Sequence, residues 1–211
     1  TTPIAGAVTY TDSTGENAAG IAQSGGILDI ASVEVNNTAT DLIFKINLVG
    51  DIQATDWGNY MVAIDSAPGG DASGNPWIRP ISMPSGMDYW LGSWVNGGGG
   101  LQLWDYTGSW NGPTTTGVTI EQFAVTLTTP LSSLGLSVGN TFNFDVYTSG
   151  SGGGDSAVDA LANPSQSIAD WPGPYSSTTT FSYTVIPEPS TLTLVGLACL
   201  ALVGHLARRR S

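Results

Sequence analysis

Histidine is the first residue to look for, because it titrates near neutrality and serves as base, nucleophile partner or metal ligand. The 211-residue chain has one, His205, and one cysteine, Cys199, both inside an apolar stretch near the C-terminus. Ahead of that stretch there is thus no Ser-His-Asp, Cys-His or His-metal chemistry and no disulfide. Carboxylates remain for acid–base work, with 17 Asp and Glu against five Lys and Arg. Such abundance always offers some pair at glycosidase spacing, so it singles out none. The expectation is that the chain is not an enzyme. The glycine runs Ser24-Gly25-Gly26 and Gly152-Gly153-Gly154 are not followed by the Lys and helix that a phosphate cradle requires.

Two other groupings could bind rather than react. Calcium takes oxygen ligands from flexible loops, and the loop from Asp65 to Asn75 supplies Asp65, Asp71 and Asn75 at a spacing that is not an EF-hand's. The competing reading is solvated turn acids closing Asx-turns. Calcium on these residues is the one cofactor the sequence raises; otherwise none is expected. The second grouping is an aromatic hairpin, Met87 to Tyr106. Pairing Val95 with Leu101 across Asn96 to Gly100 sets Trp94 opposite Gln102 and Trp90 opposite Tyr106. Side chains alternate across a strand, so Trp90, Trp94, Gln102, Trp104 and Tyr106 share one face, and Leu91, Val95, Leu101 and Leu103 the other. The aliphatic face is the natural inner one. The aromatic face either fills a core or forms a platform on which sugar rings stack, with Asp88 and Gln102 placed to bond hydroxyls and Trp77 and Trp110 extending it.

The elements that must position these residues read as short strands cut by turns. Ala5 to Thr11 is one. A hairpin follows, in which Ala31, Val33 and Val35 alternate with polar neighbours and Asn36-Asn37-Thr38 leads into Leu42, Phe44, Ile46 and Leu48. Tyr60, Val62 and Ile64, the aromatic hairpin, Val118 to Leu127, Thr141 to Thr148 and Thr178 to Val185 complete the set. Leu131 to Leu136 makes at most one helical turn. About nine strands without an internal repeat predict an all-β fold, an antiparallel β-sandwich or jelly roll. Of the five cations only Lys45 and Arg79 precede the tail, against 16 of the 17 acids. That balance excludes nucleic acid and anionic lipid as partners of this part.

The last stretch has its own logic. Ile186-Pro187-Glu188-Pro189-Ser190 is held extended by its prolines. Thr191 to Ala207 carries no charge, and Arg208-Arg209-Arg210 closes it. Its 17 residues stand at the lower edge of the roughly 17–25 that span a bilayer, with the arginines as a cytoplasmic stop. Three segments are thus expected: a β-sandwich ectodomain at 1–185, a linker at 186–190, and a transmembrane helix with a basic stop at 191–211. An exported protein also needs a leader, expected to have been removed ahead of Thr1.

Read as Val185-Ile186-Pro187-Glu188-Pro189, an apolar helix and a terminal arginine cluster, the tail resembles the PEP-CTERM sorting signal of Gram-negative bacteria. The resemblance implies recognition by an exosortase-type membrane enzyme acting near Pro187, Glu188 and Pro189. It also implies an inner-membrane intermediate anchored ahead of Arg208, Arg209 and Arg210, and delivery to the cell surface or extracellular matrix, often with exopolysaccharide in biofilm. The segments Leu28 to Val35, Asp41 to Ile46, Val62 to Asp65, Asp88-Tyr89, Pro130 to Gly135 and Phe142 to Val146 resemble the DOMON-like, glucodextranase C-terminal type of β-sandwich. That second resemblance implies a carbohydrate-binding or surface role. Three readings follow: a polysaccharide-binding or adhesive module, a structural matrix or envelope component that self-associates through sandwich edges, and an acidic-pair glycoside hydrolase.

Overall fold

The computed structural model describes residues 6–16, 21 and 25–187. Its strands are β1 (Val8–Thr11), β2 (Ile30–Asn37), β3 (Asp41–Leu48), β4 (Asn59–Asp65), β5 (Ile81–Ser82), β6 (Tyr89–Trp94), β7 (Gly100–Tyr106), β8 (Trp110–Thr115), β9 (Gly117–Glu121), β10 (Ala124–Pro130), β11 (Thr141–Ser149), β12 (Asp159–Ala160), β13 (Tyr175–Ser176) and β14 (Phe181–Thr184). Short 3₁₀ turns occur at Ile52–Ala54, Asn96–Gly98 and Leu131–Leu134. The described residues contain no α-helix, and none is long and apolar enough to cross a membrane. The span expected at 191–207 and its basic stop lie outside them.

One sheet has the order β1-β2-β3-β10-β9 and the other β12-β11-β4-β6-β7-β8, with β14 also pairing β11. All these pairings are antiparallel; a two-stranded parallel pair, β13 with β5, stands apart. Alternation puts Val33, Val35, Phe44, Ile46 and Val125 of the first sheet against Val62, Ile64, Leu91, Leu101, Phe144 and Val146 of the second, in one aliphatic core. Phe44 meets the edge of Phe144 at 5.3 Å across it.

The outer face of the second sheet is covered too. Met61, Ala63, Trp90, Tyr147 and Ala160 point away from the first sheet and pack beneath Ile81, Met83, Met87, Ala157 and Tyr175 in a second core. A strand buried on both faces loses the alternation expected of a half-exposed one, and β4 is buried along all but its last residue.

The structure corrects three sequence-based expectations about strands. Val118 to Leu127 is not one strand: Gln122 and Phe123 turn the chain between β9 and β10, their carbonyls accepting from Ile52 N–H and Leu48 N–H at 2.9 Å each. No Gly or Asn announces that turn. Strand β8 was not expected, because Gly112-Pro113 falls inside it; it is an edge strand, where proline is tolerated. The aromatic hairpin pairs Trp94 with Gly100 and Trp90 with Trp104, two residues from the expected register. Its turn closes one residue early, Gly99 N–H donating to the Asn96 carbonyl. A shift of two keeps every side chain on its expected face.

The described residues end at the start of the tail. Val185 is buried, while Ile186 is anchored through both its backbone groups to the Asn37 side chain, and Pro187 is exposed.

Candidate functional site

Strands β6 and β7 put Trp90, Trp94, Gln102, Trp104 and Tyr106 on the outer face of the second sheet, but not as one open platform. Trp90 is 0% exposed, stacked on Tyr147 with ring centroids 6.2 Å apart and edge-on to Trp77 at 6.3 Å. It is a core residue, because the chain between β4 and β6 folds back over it; no local pattern in the hairpin announces that cover. The other four are half-buried. Glycines in the strands make room for the indoles. A Cβ on Gly92 would lie 2.2 Å from the Trp77 ring, and one on Gly100 would lie 2.3 Å from that of Trp94. Gln102 Oε1 accepts from Trp77 Nε1 at 2.9 Å and Trp104 Nε1 at 3.2 Å, so this carbonyl ties the cluster together.

The loop from Asp65 to Asn75 is held by its own side chains. Asp71 Oδ1 accepts from Ser73 N, Ser73 Oγ and Gly74 N at 2.8–3.1 Å, an Asx-turn, and its Oδ2 accepts from Trp110 Nε1 at 3.0 Å. Asn75 donates to the Arg79 and Ile81 carbonyls and accepts from Trp77 N. Asp65 Oδ2 accepts from Asn143 Nδ2 at 3.5 Å. Asp88 Oδ2 accepts from Ser66 N at 2.7 Å and Ala67 N at 2.8 Å, closing the start of the same loop.

Beside Asp88 the surface opens into a depression of about 400 Å³, lined among others by Ser66, Asp88, Tyr89, Asp105, Tyr106 and Thr107. Tyr106 forms one wall and is buttressed edge-to-face by Trp110 at 5.3 Å. Asp105 Oδ2 takes only a long bond, 3.4 Å, from Asn111.

A second grouping lies at the other edge of the molecule, where β1 and β2 meet β12. Asp12 follows β1, Glu16 lies in the loop beyond it, Asp29 precedes β2 and Asp159 opens β12. One carboxylate oxygen each from Asp12, Glu16 and Asp159 lies within 4.8 Å of the others. Asp159 is fully buried and Asp29 is 5% exposed. Burial, then the charges of Glu16, Asp145 and Asp29, push the Asp12 carboxyl up to about 7 against the bond from Ser13 N–H. Burial, then the Asp12 charge, push Asp159 up to about 9. Glu16 and Asp29 are also raised by burial. Sequence reading missed this group. Asp12 and Glu16 stand four apart in a loop that reads as an ordinary polar turn, and Asp29 and Asp159 join them only through tertiary structure.

The class these observations define is an acidic, all-β protein of packed antiparallel sheets whose last described residues are exposed. Residues 185–211 match the PEP-CTERM protein-sorting motif. That motif implies an exported protein, held at the membrane by its tail, recognised by an exosortase-type processing enzyme and passed to the surface. No curated protein matches the chain. Of the expected sorting residues, Pro187 is described; Glu188, Pro189, Arg208, Arg209 and Arg210 lie outside the described residues.

Proposed function

We propose that this protein is a surface-displayed, non-catalytic polysaccharide-binding module, released to the surface or matrix after its tail is processed. The observation that carries the reading is the depression between the loop after β4 and the β7–β8 turn. A sugar ring presents an apolar face and a rim of hydroxyls, and this hollow offers a buttressed tyrosine wall beside two carboxylates. The resemblance of the sequence segments between Leu28 and Val146 to the DOMON-like, glucodextranase C-terminal type supports the same reading. Trp94 and Trp104, half-buried on the same face, extend the aromatic surface along β6 and β7. The structural, self-associating alternative would use an exposed sheet edge, and β8 carries a proline in its middle, a device that blunts strand addition.

Affinity electrophoresis of the full chain through gels containing acidic or neutral bacterial polysaccharides tests this. Retardation of the wild type, lost in Tyr106→Ala and Asp105→Ala variants whose melting temperatures stay within about 2 °C of it, is the expected result. Migration unchanged by every polysaccharide would leave the self-associating reading in its place.

A further inference from the structure

Among the described residues, no cation faces the acidic corner. Asp12 Oδ2, both Glu16 carboxylate oxygens and Asp29 Oδ1 are buried and accept no hydrogen bond. Burying a carboxylate without a partner is costly, so such oxygens call for a counter-charge. The two cations among the described residues serve elsewhere. Lys45 pairs with Glu121 at 3.0 Å, and the Arg79 guanidinium donates to Ser149 Oγ and to the Gly150 and Asp155 carbonyls.

The remaining oxygens of this group are held by backbone donors. Asp159 Oδ2 accepts from Ile30 N and its Oδ1 from Ala160 N, both at 2.7 Å. Asp29 Oδ2 accepts from Gly15 N at 2.9 Å, next to Glu16, and Asp12 Oδ1 from Ser13 N at 2.8 Å. For Asp12 and Asp29 one oxygen is thereby fixed and the other left bare. Asp29 lies close enough that its charge acts on both Asp12 and Glu16.

We infer that Asp12, Glu16 and Asp159 form a calcium site, flanked by the bare Oδ1 of Asp29, that joins the edge of the first sheet to the second. Oxygens sharing one calcium at 2.3–2.6 Å lie at most about 5 Å apart, which the 4.8 Å grouping satisfies. The donors are all hard carboxylates, and the chain's one His and one Cys lie in the tail, so zinc and copper have no preferred ligand here. Magnesium dehydrates reluctantly and keeps several waters, whereas calcium accepts an irregular set of carboxylates. The ion would bind the loop after β1 and the start of β12 at once, and Asp159 Oδ2 already holds the start of β2 through Ile30 N. Extracellular modules use such sites at Kd values of about 10⁻⁴–10⁻³ M. This site is independent of the polysaccharide reading.

The test takes the full chain in detergent, stripped with EDTA and returned to fixed ionic strength. Adding CaCl₂ to about a hundred times the Kd raises the melting temperature by about 5–10 °C, and equilibrium dialysis finds one calcium per chain. The double variant Asp12→Asn, Glu16→Gln loses that rise and the bound ion. Because it removes two like charges, its EDTA-stripped form melts no lower than the stripped wild type. Asp29→Asn, which keeps the bond from Gly15, weakens calcium binding at least tenfold. An Asp71→Asn variant binds as the wild type does. No bound calcium in the wild type overturns the proposal, as does an equal rise with MgCl₂ or an undiminished rise in the double variant.

Discussion

The aromatic face and the acidic corner flank the same second sheet, and they handle their polar groups in opposite ways. On the aromatic face the indole N–H groups of Trp77 and Trp104 meet one glutamine oxygen, that of Trp110 meets Asp71, and Asn75 is used from both ends. Among the described residues, Trp90 is the one tryptophan that buries an unpartnered N–H. At the corner, buried carboxylate oxygens face one another with no donor. The first region closes on itself and exposes only its rim, so what it recognises must bind at that rim. In the second, no donor among the described residues reaches those oxygens, which is what the proposed ion site requires.

The sharpest way to break the comparison is at its most buried ring. Trp90→Ala should destabilise the protein by about 3–5 kcal/mol in urea unfolding, since it empties the middle of the second core. A loss under about 1 kcal/mol would mean that the cover over the second sheet is not a packed core.

A smaller effect sits beneath that core. Asp145, fully buried on β11, accepts from Ser177 Oγ, Val146 N and Ala162 N, yet burial still raises its carboxyl to about 6. A raised carboxylate favours folding while protonated. Its contribution is complete below the unfolded value of about 4 and is lost as pH rises through about 6. Wild type minus Asp145→Asn should therefore lose about 2 kcal/mol between pH 4 and pH 6.5, measured by urea unfolding in EDTA. A flat difference would show that its three donors keep Asp145 ionised.

The smallest expected change sharpens the account of the aromatic face. Gln102→Leu strands two indole donors and should cost about 1–3 kcal/mol, whereas Gln102→Glu keeps an acceptor for both and should cost less. Equal losses in thermal melts would show that the amide oxygen is not what holds Trp77 and Trp104.

Much of this was legible in the residues. Alternation gave the hairpin of β2 and β3 its buried face and placed Leu91, Val95, Leu101 and Leu103 inward, because a half-buried strand repeats every two residues wherever it lies. The tail declared itself through three features in fixed order, which need no folding to be recognised. The scarcity of His and Cys narrowed the available chemistry without any coordinates. Other features belong to the tertiary structure alone. Nothing in Trp90 or its neighbours along β6 says that the loop before β6 will fold back over them and meet Ala157 and Tyr175 from far along the chain, since that meeting is set by the tertiary fold. Asp12, Glu16 and Asp159, with Asp29 beside them, come together only when β1, β2 and β12 converge, because a carboxylate's surroundings, unlike its spacing, are set by what packs against it.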